Sequence, residues 1–243
     1  MSFMPNFPDG DRRRIRTKSA SVEPPTGDLV QSIRIAIDGV SLAGDLVIPA
    51  GATGLVLFAH GSGSSRHSPR NQFVARMIQT SGIGTLLFDL LSAGEEDEDA
   101  IDGHLRFDIG LLARRLAAAA RWTAQQPATS QLGIGFFGAS TGGAAALVAA
   151  AELGPIVQAV VSRGGRPDLA GQALPLVTAP TLLIVGARDD LVVKLNQEAY
   201  AQLRCPKRLT LVPGATHLFA EPGTLEQVAT LAAEWFRGHL KPA

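Results

Sequence analysis

A hydroxyl, a pair of carboxylates and an imidazole stand just after apolar runs in this sequence, at Ser140, Asp189-Asp190 and His217. Ser140 lies in Gly138-Ala139-Ser140-Thr141-Gly142-Gly143, between the apolar run 132–137 and the small-residue run 144–151. This reads as strand, sharp turn and helix around a G-x-S-x-G pattern. A Cβ on either flanking glycine would collide with the neighbouring strand or helix, so the turn demands glycine there. A serine hydroxyl is a weak nucleophile until a base takes its proton. Imidazole titrates near neutrality and can take that proton and return it to a leaving group. A carboxylate beside the imidazole fixes its tautomer and stabilises the imidazolium. In a chain with 26 glycines the G-x-S-x-G pattern alone says little; the elements around it must bring the three groups together.

Those elements are legible. Residues 31–38 and 40–49 read as two strands, with Ile33, Ile35 and Ile37 alternating with Arg34, Ala36 and Asp38. Asp38-Gly39 between them is a hairpin turn signal. From Gly54 onward, apolar runs alternate with helical periodicities. The run 54–59 is apolar on both faces, as buried parallel strands are. Ser68-Pro69 opens a helix with Phe73, Val74, Met77 and Ile78 on one stripe. Further helices are expected over 106–124, to about 153 after the elbow, over 191–203 and over 224–240. Strands are expected at 85–89, 132–137, 157–162, 181–185 and 209–212. The acidic run Glu95-Glu96-Asp97-Glu98-Asp99 reads as a solvated loop. The pattern predicts an α/β fold: one mainly parallel open sheet of about eight strands with helices on both faces, and an antiparallel N-terminal hairpin.

In such a sheet, sites form at the carboxyl ends of strands. The residues expected there are His60-Gly61-Ser62-Gly63, Asp89, Ser140, Arg163, Asp189-Asp190 and His217. The order Ser, Asp, His is itself informative. The spacing Gly186-Ala187-Arg188-Asp189 favours Asp189 over Asp190 as the acid. An acyl-transfer site also needs backbone donors for the oxyanion; Thr141 N–H is one candidate and Ser62 N–H the other. His60 is expected to shape the oxyanion loop and, with Arg163, to contact substrate. Arg66, Arg163 and Arg188 lie near this edge, and any of them could recognise a substrate carboxylate.

The motifs His60-Gly-Ser-Gly-Ser-Ser-Arg-His-Ser-Pro-Arg70, Gly138-Ala-Ser-Thr-Gly142, Gly186-Ala-Arg-Asp189 and Pro213-Gly-Ala-Thr-His217 resemble those of α/β-hydrolases, within them the dienelactone hydrolase-like group. The resemblance covers about 31–240. It implies a serine hydrolase of small carboxylic esters working through an acyl-enzyme without a cofactor. In one respect the chain departs from it: true dienelactone hydrolases carry cysteine at the elbow, and this chain has Ser140. That points to esters more generally. A thioesterase or peptidase would use the same groups, and a non-catalytic ligand-binding member of the fold is the other alternative. Only residues 163–180 separate two strands where many members insert a helical lid, so no lid domain is expected and the site should be open.

Composition bounds the rest. Twenty-two basic and 22 acidic residues cancel, which gives no basis for a nucleic-acid partner. No apolar run is long enough for a membrane span, and no secretory leader is apparent. A cytoplasmic location follows as the default, residues 1–28 read as a flexible tail ahead of a single domain at 29–243, and homo-oligomerisation is left open. One cysteine, Cys205, allows no disulfide framework. No H-E-x-x-H metal motif is present. Gly133-Ile-Gly-Phe-Phe-Gly138 matches G-x-G-x-x-G, but its glycines fall inside the strand rather than in the turn after it.

Overall fold

The computed structural model describes residues 27–243. The expected tail therefore lies almost wholly outside the described residues. The sheet has eight strands in the order β1-β2-β4-β3-β5-β6-β7-β8. β1 (Leu29–Ile37) and β2 (Val40–Ile48) form the antiparallel hairpin, and β2 also pairs antiparallel with β4. Asp38 and Gly39 both take positive φ, 52° and 80°, as a tight hairpin turn requires. β3 (Gly54–Ala59), β4 (Gly84–Phe88), β5 (Gly133–Ala139), β6 (Val157–Arg163), β7 (Thr181–Gly186) and β8 (Lys207–Val212) run parallel.

Both faces of the central strands are buried, and period-two alternation sorts their side chains into two cores. Leu55, Leu57, Phe136 and Val160 face α3 (Ile109–Gln125) and α4 (Thr141–Leu153). Val56, Phe58, Phe137 and Val161 face α1 (Pro69–Thr80) and α6 (Thr224–His239). Phe58 and Phe137 pack ring to ring, with centroids 4.8 Å apart. Ser68 caps α1 through its hydroxyl, with Pro69 at the first helical position, where its missing N–H costs nothing. Residues 164–180, between β6 and β7, hold only a kinked 3₁₀ segment, Pro167–Leu176. The expectation of no lid domain holds for this segment.

The acidic run is a correction. It forms α2 (Ala93–Asp102) rather than a loop. Ser92 and Glu95 make a reciprocal capping box at its start, and Gly103 ends it with φ 73°. Spacing of i, i+4 puts Glu95 and Asp99 on one face. There Glu95 meets the buried Arg115, whose other bond goes to Leu90 O, and Asp99 meets Arg106. Arg115 holds the Glu95 carboxyl down at about 2. Two of the five acids thus tie the helix to the body of the protein, and their neutralised charge reduces the repulsion that the run implies. A short 3₁₀ turn, Leu105–Phe107, follows, so α3 begins three residues later than expected. α5 (Asp190–Gln202) completes the helices.

Candidate active site

Strand register brings the chemical groups to one edge. Ala139 of β5 lies opposite Arg163 of β6, and Gly186 of β7 opposite Val212 of β8. Ser140, Arg163, Asp189 and His217 therefore all stand at or just beyond strand carboxyl ends.

Ser140 sits between β5 and α4 with φ 52° and ψ −121°, a region that costs a non-glycine residue about 1–3 kcal/mol. The surroundings hold it there. Its carbonyl accepts from Gly143 N–H and Arg166 N–H, both at 3.0 Å, and its own N–H donates to Arg163 O at 3.3 Å. A Cβ at Gly142 would come within 2.1 Å of Ala59 O, and one at Gly138 within 2.4 Å of Gly142 O. Both glycines are there because three backbone segments converge beneath the serine.

Asp189 and His217 meet across two loops. The imidazole Nδ1 lies 2.7 Å from Asp189 Oδ2, which leaves Nε2 as the nitrogen available for proton transfer. Asp190 is exposed at the first turn of α5 and has no such contact. The loop bearing His217 is fixed on both sides. Arg188 N–H donates to Ala215 O, and Thr216 donates from its N–H and hydroxyl to the Glu221 carboxylate. The loop crosses Gly186 so closely that a Cβ there would meet Ala215 O and Thr216 O at 2.5 Å.

Ser140 and His217 line one cleft of about 250 Å³, together with Ser62, Arg70, Asn71 and Arg163. Arg163 is 8% exposed. Its Nη2 donates to Asn71 Oδ1 at 3.4 Å, while Nε and Nη1 have no partner among the described residues. Burial, and then the like charge of Arg70, push its guanidinium down to about 10, so it stays cationic at neutral pH. Phe219, with φ 53°, lies under it with the ring centroid 6.0 Å away. Arg66 is committed elsewhere, paired with Asp89 and Asp45, and Arg188 is exposed.

Two features of the loop after β3 escape the sequence. Ser62 N–H donates to Thr141 Oγ1 at 3.0 Å, so the side chain of Thr141, and not only its backbone, meets the loop. His60 is almost fully buried with both ring nitrogens in use. Nδ1 bonds Gly61 O, and Nε2 accepts Leu90 N–H at 3.0 Å. The second bond requires a neutral ring protonated on Nδ1. Burial lowers its pKa from the usual 6.5, against smaller opposing effects of Gly61 O and Asp89. The sign of the linkage follows: the unfolded chain takes up a proton below about pH 6.5 that the folded one refuses. Stability is therefore full above that pH and falls as the pH drops through it. Tm measured from pH 8 to pH 5 should fall, and His60→Gln should flatten that part of the curve; an unchanged slope in the variant would assign the loss to other groups.

The remaining candidates fall away from the cleft. His104 is exposed beside Asp102, His239 bonds Trp235 O, and Cys205 is buried with its thiol near the Thr181 hydroxyl. Asp99, Asp102 and His104 come close enough to share an ion, but Asp99 is already satisfied by Arg106.

Residues 74–238 match the sequence model of the dienelactone hydrolase family. The chain belongs to the dienelactone hydrolase family. A dienelactone hydrolase from Anabaena variabilis has a crystal structure 58% identical in sequence, with a TM-score of 0.87 over 88% of this chain and 99% of that one. Est1E from Butyrivibrio proteoclasticus shares the fold at 17% identity, with a TM-score of 0.71 over 85% of this chain and 98% of its own. A Mycobacterium tuberculosis protein named "Putative phosphoribosyl transferase MT0597" is 55% identical over 221 residues, 91% of this chain and 48% of the relative. The family chain thus spans about half the length of the curated relatives it matches. The family is named for a hydrolase. No helix among the described residues is long and apolar enough to cross a membrane.

Proposed function

We propose that this member of the family is a serine hydrolase of small carboxylic esters. The observation that carries the reading is the 2.7 Å contact of His217 Nδ1 with Asp189 Oδ2, in a cleft shared by His217 and the strained Ser140. Ser140 Oγ attacks the acyl carbon while His217 Nε2 takes its proton. Asp189 holds the imidazole in the Nδ1–H tautomer and stabilises the imidazolium. Thr141 N–H, at the start of α4, and Ser62 N–H receive the oxyanion, aided by the helix dipole. Ser62 N–H now serves the Thr141 hydroxyl, so the oxyanion has to take over or share that donor. His60 holds the loop from inside and offers no free ring nitrogen to substrate.

No cofactor enters this scheme. The name of the mycobacterial relatives attaches to chains about twice the matched length, and it assigns no transfer chemistry to this part. A thioester or amide would meet the same groups, so the acyl bond preferred is read from a panel of p-nitrophenyl esters, thioesters and anilides. Highest kcat/KM on short esters is the expected result. Failure to turn over any of them would leave the non-catalytic binding reading in its place.

Arg163 refines the substrate. A buried cation in the wall of the nucleophile's cleft, with Nε and Nη1 unpartnered among the described residues, favours an anionic group on the ester. A hydrogen bond to a charged partner contributes about 1.5–3 kcal/mol, or roughly 10–100-fold. Arg163→Ala should lose that factor on p-nitrophenyl hemisuccinate and far less on p-nitrophenyl butyrate. Equal losses on both would reduce Arg163 to a structural role.

A further inference from the structure

A second cavity adjoins the cleft. It measures about 550 Å³ and lies between the loop after β3 and α2. Both spaces are lined by Gly61, Ser62, Ser64, Ser68 and Arg70, so the oxyanion loop is their common wall. The larger space therefore lies directly beside the cleft that Ser140 lines.

We infer that this cavity takes the alcohol part of the ester, and that this alcohol is a neutral polyhydroxylated group, a sugar or polyol. The inference rests on the hydrolase reading above. It follows from what the wall offers. The hydroxyls of Ser62 and Ser64 make no hydrogen bond among the described residues, and Arg70 makes no ion pair there, with its buried Nε unpartnered. Across from them stands Glu96, whose carboxylate likewise has no described partner. Partial burial, and then the like charge of Asp89, raise its pKa. Arg106 and Asp99, also in the wall, neutralise each other. One uncommitted cation and one uncommitted anion thus share the cavity. A ligand of either net charge gains from one and is repelled by the other. A neutral group with adjacent hydroxyls satisfies both: it donates to Glu96, as ribose hydroxyls do to a carboxylate, and accepts from Arg70 and the serines. Among the described residues of the lining only Leu91, Leu112 and Pro69 carry apolar side chains, which is little for an aromatic alcohol. The volume lies within the range of small-ligand sites.

The chemistry balances without another reactant. Ser140 Oγ bonds the acyl carbon, the ester C–O bond breaks, and the polyol oxygen leaves with the proton that His217 took from Ser140. A water then replaces Ser140 on the acyl carbon, and its proton returns to Ser140 through His217.

The test compares 6-O-acetylglucose, butyl acetate and p-nitrophenyl acetate on the full chain and on Glu96→Ala. The expected result is a kcat/KM at least about 10-fold higher for the sugar ester than for butyl acetate in the parent. Glu96→Ala should lower the sugar ester alone by about 10-fold, the loss of a hydrogen bond to a charged group. Equal rates on the sugar and butyl esters, or equal losses on all three in the variant, would overturn the inference and leave the esterase reading standing. No turnover of p-nitrophenyl acetate by the parent would overturn both.

Discussion

Replacing Ser140 with alanine is expected to lower kcat on p-nitrophenyl acetate by about 10⁶-fold, the scale seen when a serine nucleophile is removed. On the proposed mechanism the loss is that large because no other described residue of the cleft stands where Ser140 does. The hydroxyls of Ser62, Ser64 and Ser68 also line it, but none stands at a strand-to-helix turn. The fold should survive. Alanine keeps the φ of 52° and its strain, and the three backbone hydrogen bonds made by residue 140 do not involve the hydroxyl. Ser140→Gly separates the two effects: it should abolish turnover equally but raise Tm, because glycine adopts this conformation at little cost, recovering part of the roughly 1–3 kcal/mol stored there. An Ala variant that retains turnover, or a Gly variant less stable than the parent, would refute this account of the turn.

Asp189→Asn should lower kcat by about 10⁴-fold, the effect of leaving the base in the wrong tautomer. Asn can point its amide at Nδ1, and the imidazole then presents its proton, not its lone pair, toward Ser140. Asp190→Asn is the control. Its carboxylate is exposed at the start of α5 and touches no histidine, so the change should leave kcat within about two-fold and stability within about 0.5 kcal/mol, as surface substitutions generally do for stability. A larger loss at 190 than at 189 would reassign the acid. The adjacent pair is what makes this experiment informative, since both variants remove one negative charge from the same place in the chain.

The order of elements was readable because each layer has its own period. Strands β3 to β7 are apolar on both faces, and α6 repeats Val228, Ala232 and Phe236 at helical spacing. The elbow was readable because Gly138 and Gly142 leave no room for any other residue. Asp189 could be preferred from the spacing after Gly186, but adjacent residues at a strand end differ in direction by the local backbone, and only the contact with His217 separates them. The helix under the acidic run was missed because a like-charged run argues against a helix until its partners are known. Those partners, Arg115 and Arg106, come from outside it. Ser92 and Glu95 did spell a capping box, and that local signal was the one available. The commitment of Ser62 N–H to the Thr141 side chain joins residues 79 apart and has no local signature. Arg70 and Asn71 reach the cleft only because α1 begins beside the oxyanion loop.

The central claim is that Ser140 is the activated nucleophile of this family member. Treating the protein with a fluorophosphonate and mapping the adduct by peptide mass spectrometry tests it most directly, because only a serine deprotonated by its neighbour reacts quickly. The account predicts a single adduct on the peptide containing Ser140, lost in His217→Ala. An adduct on Ser62, Ser64 or any other residue, or none at all on the folded protein, would contradict it.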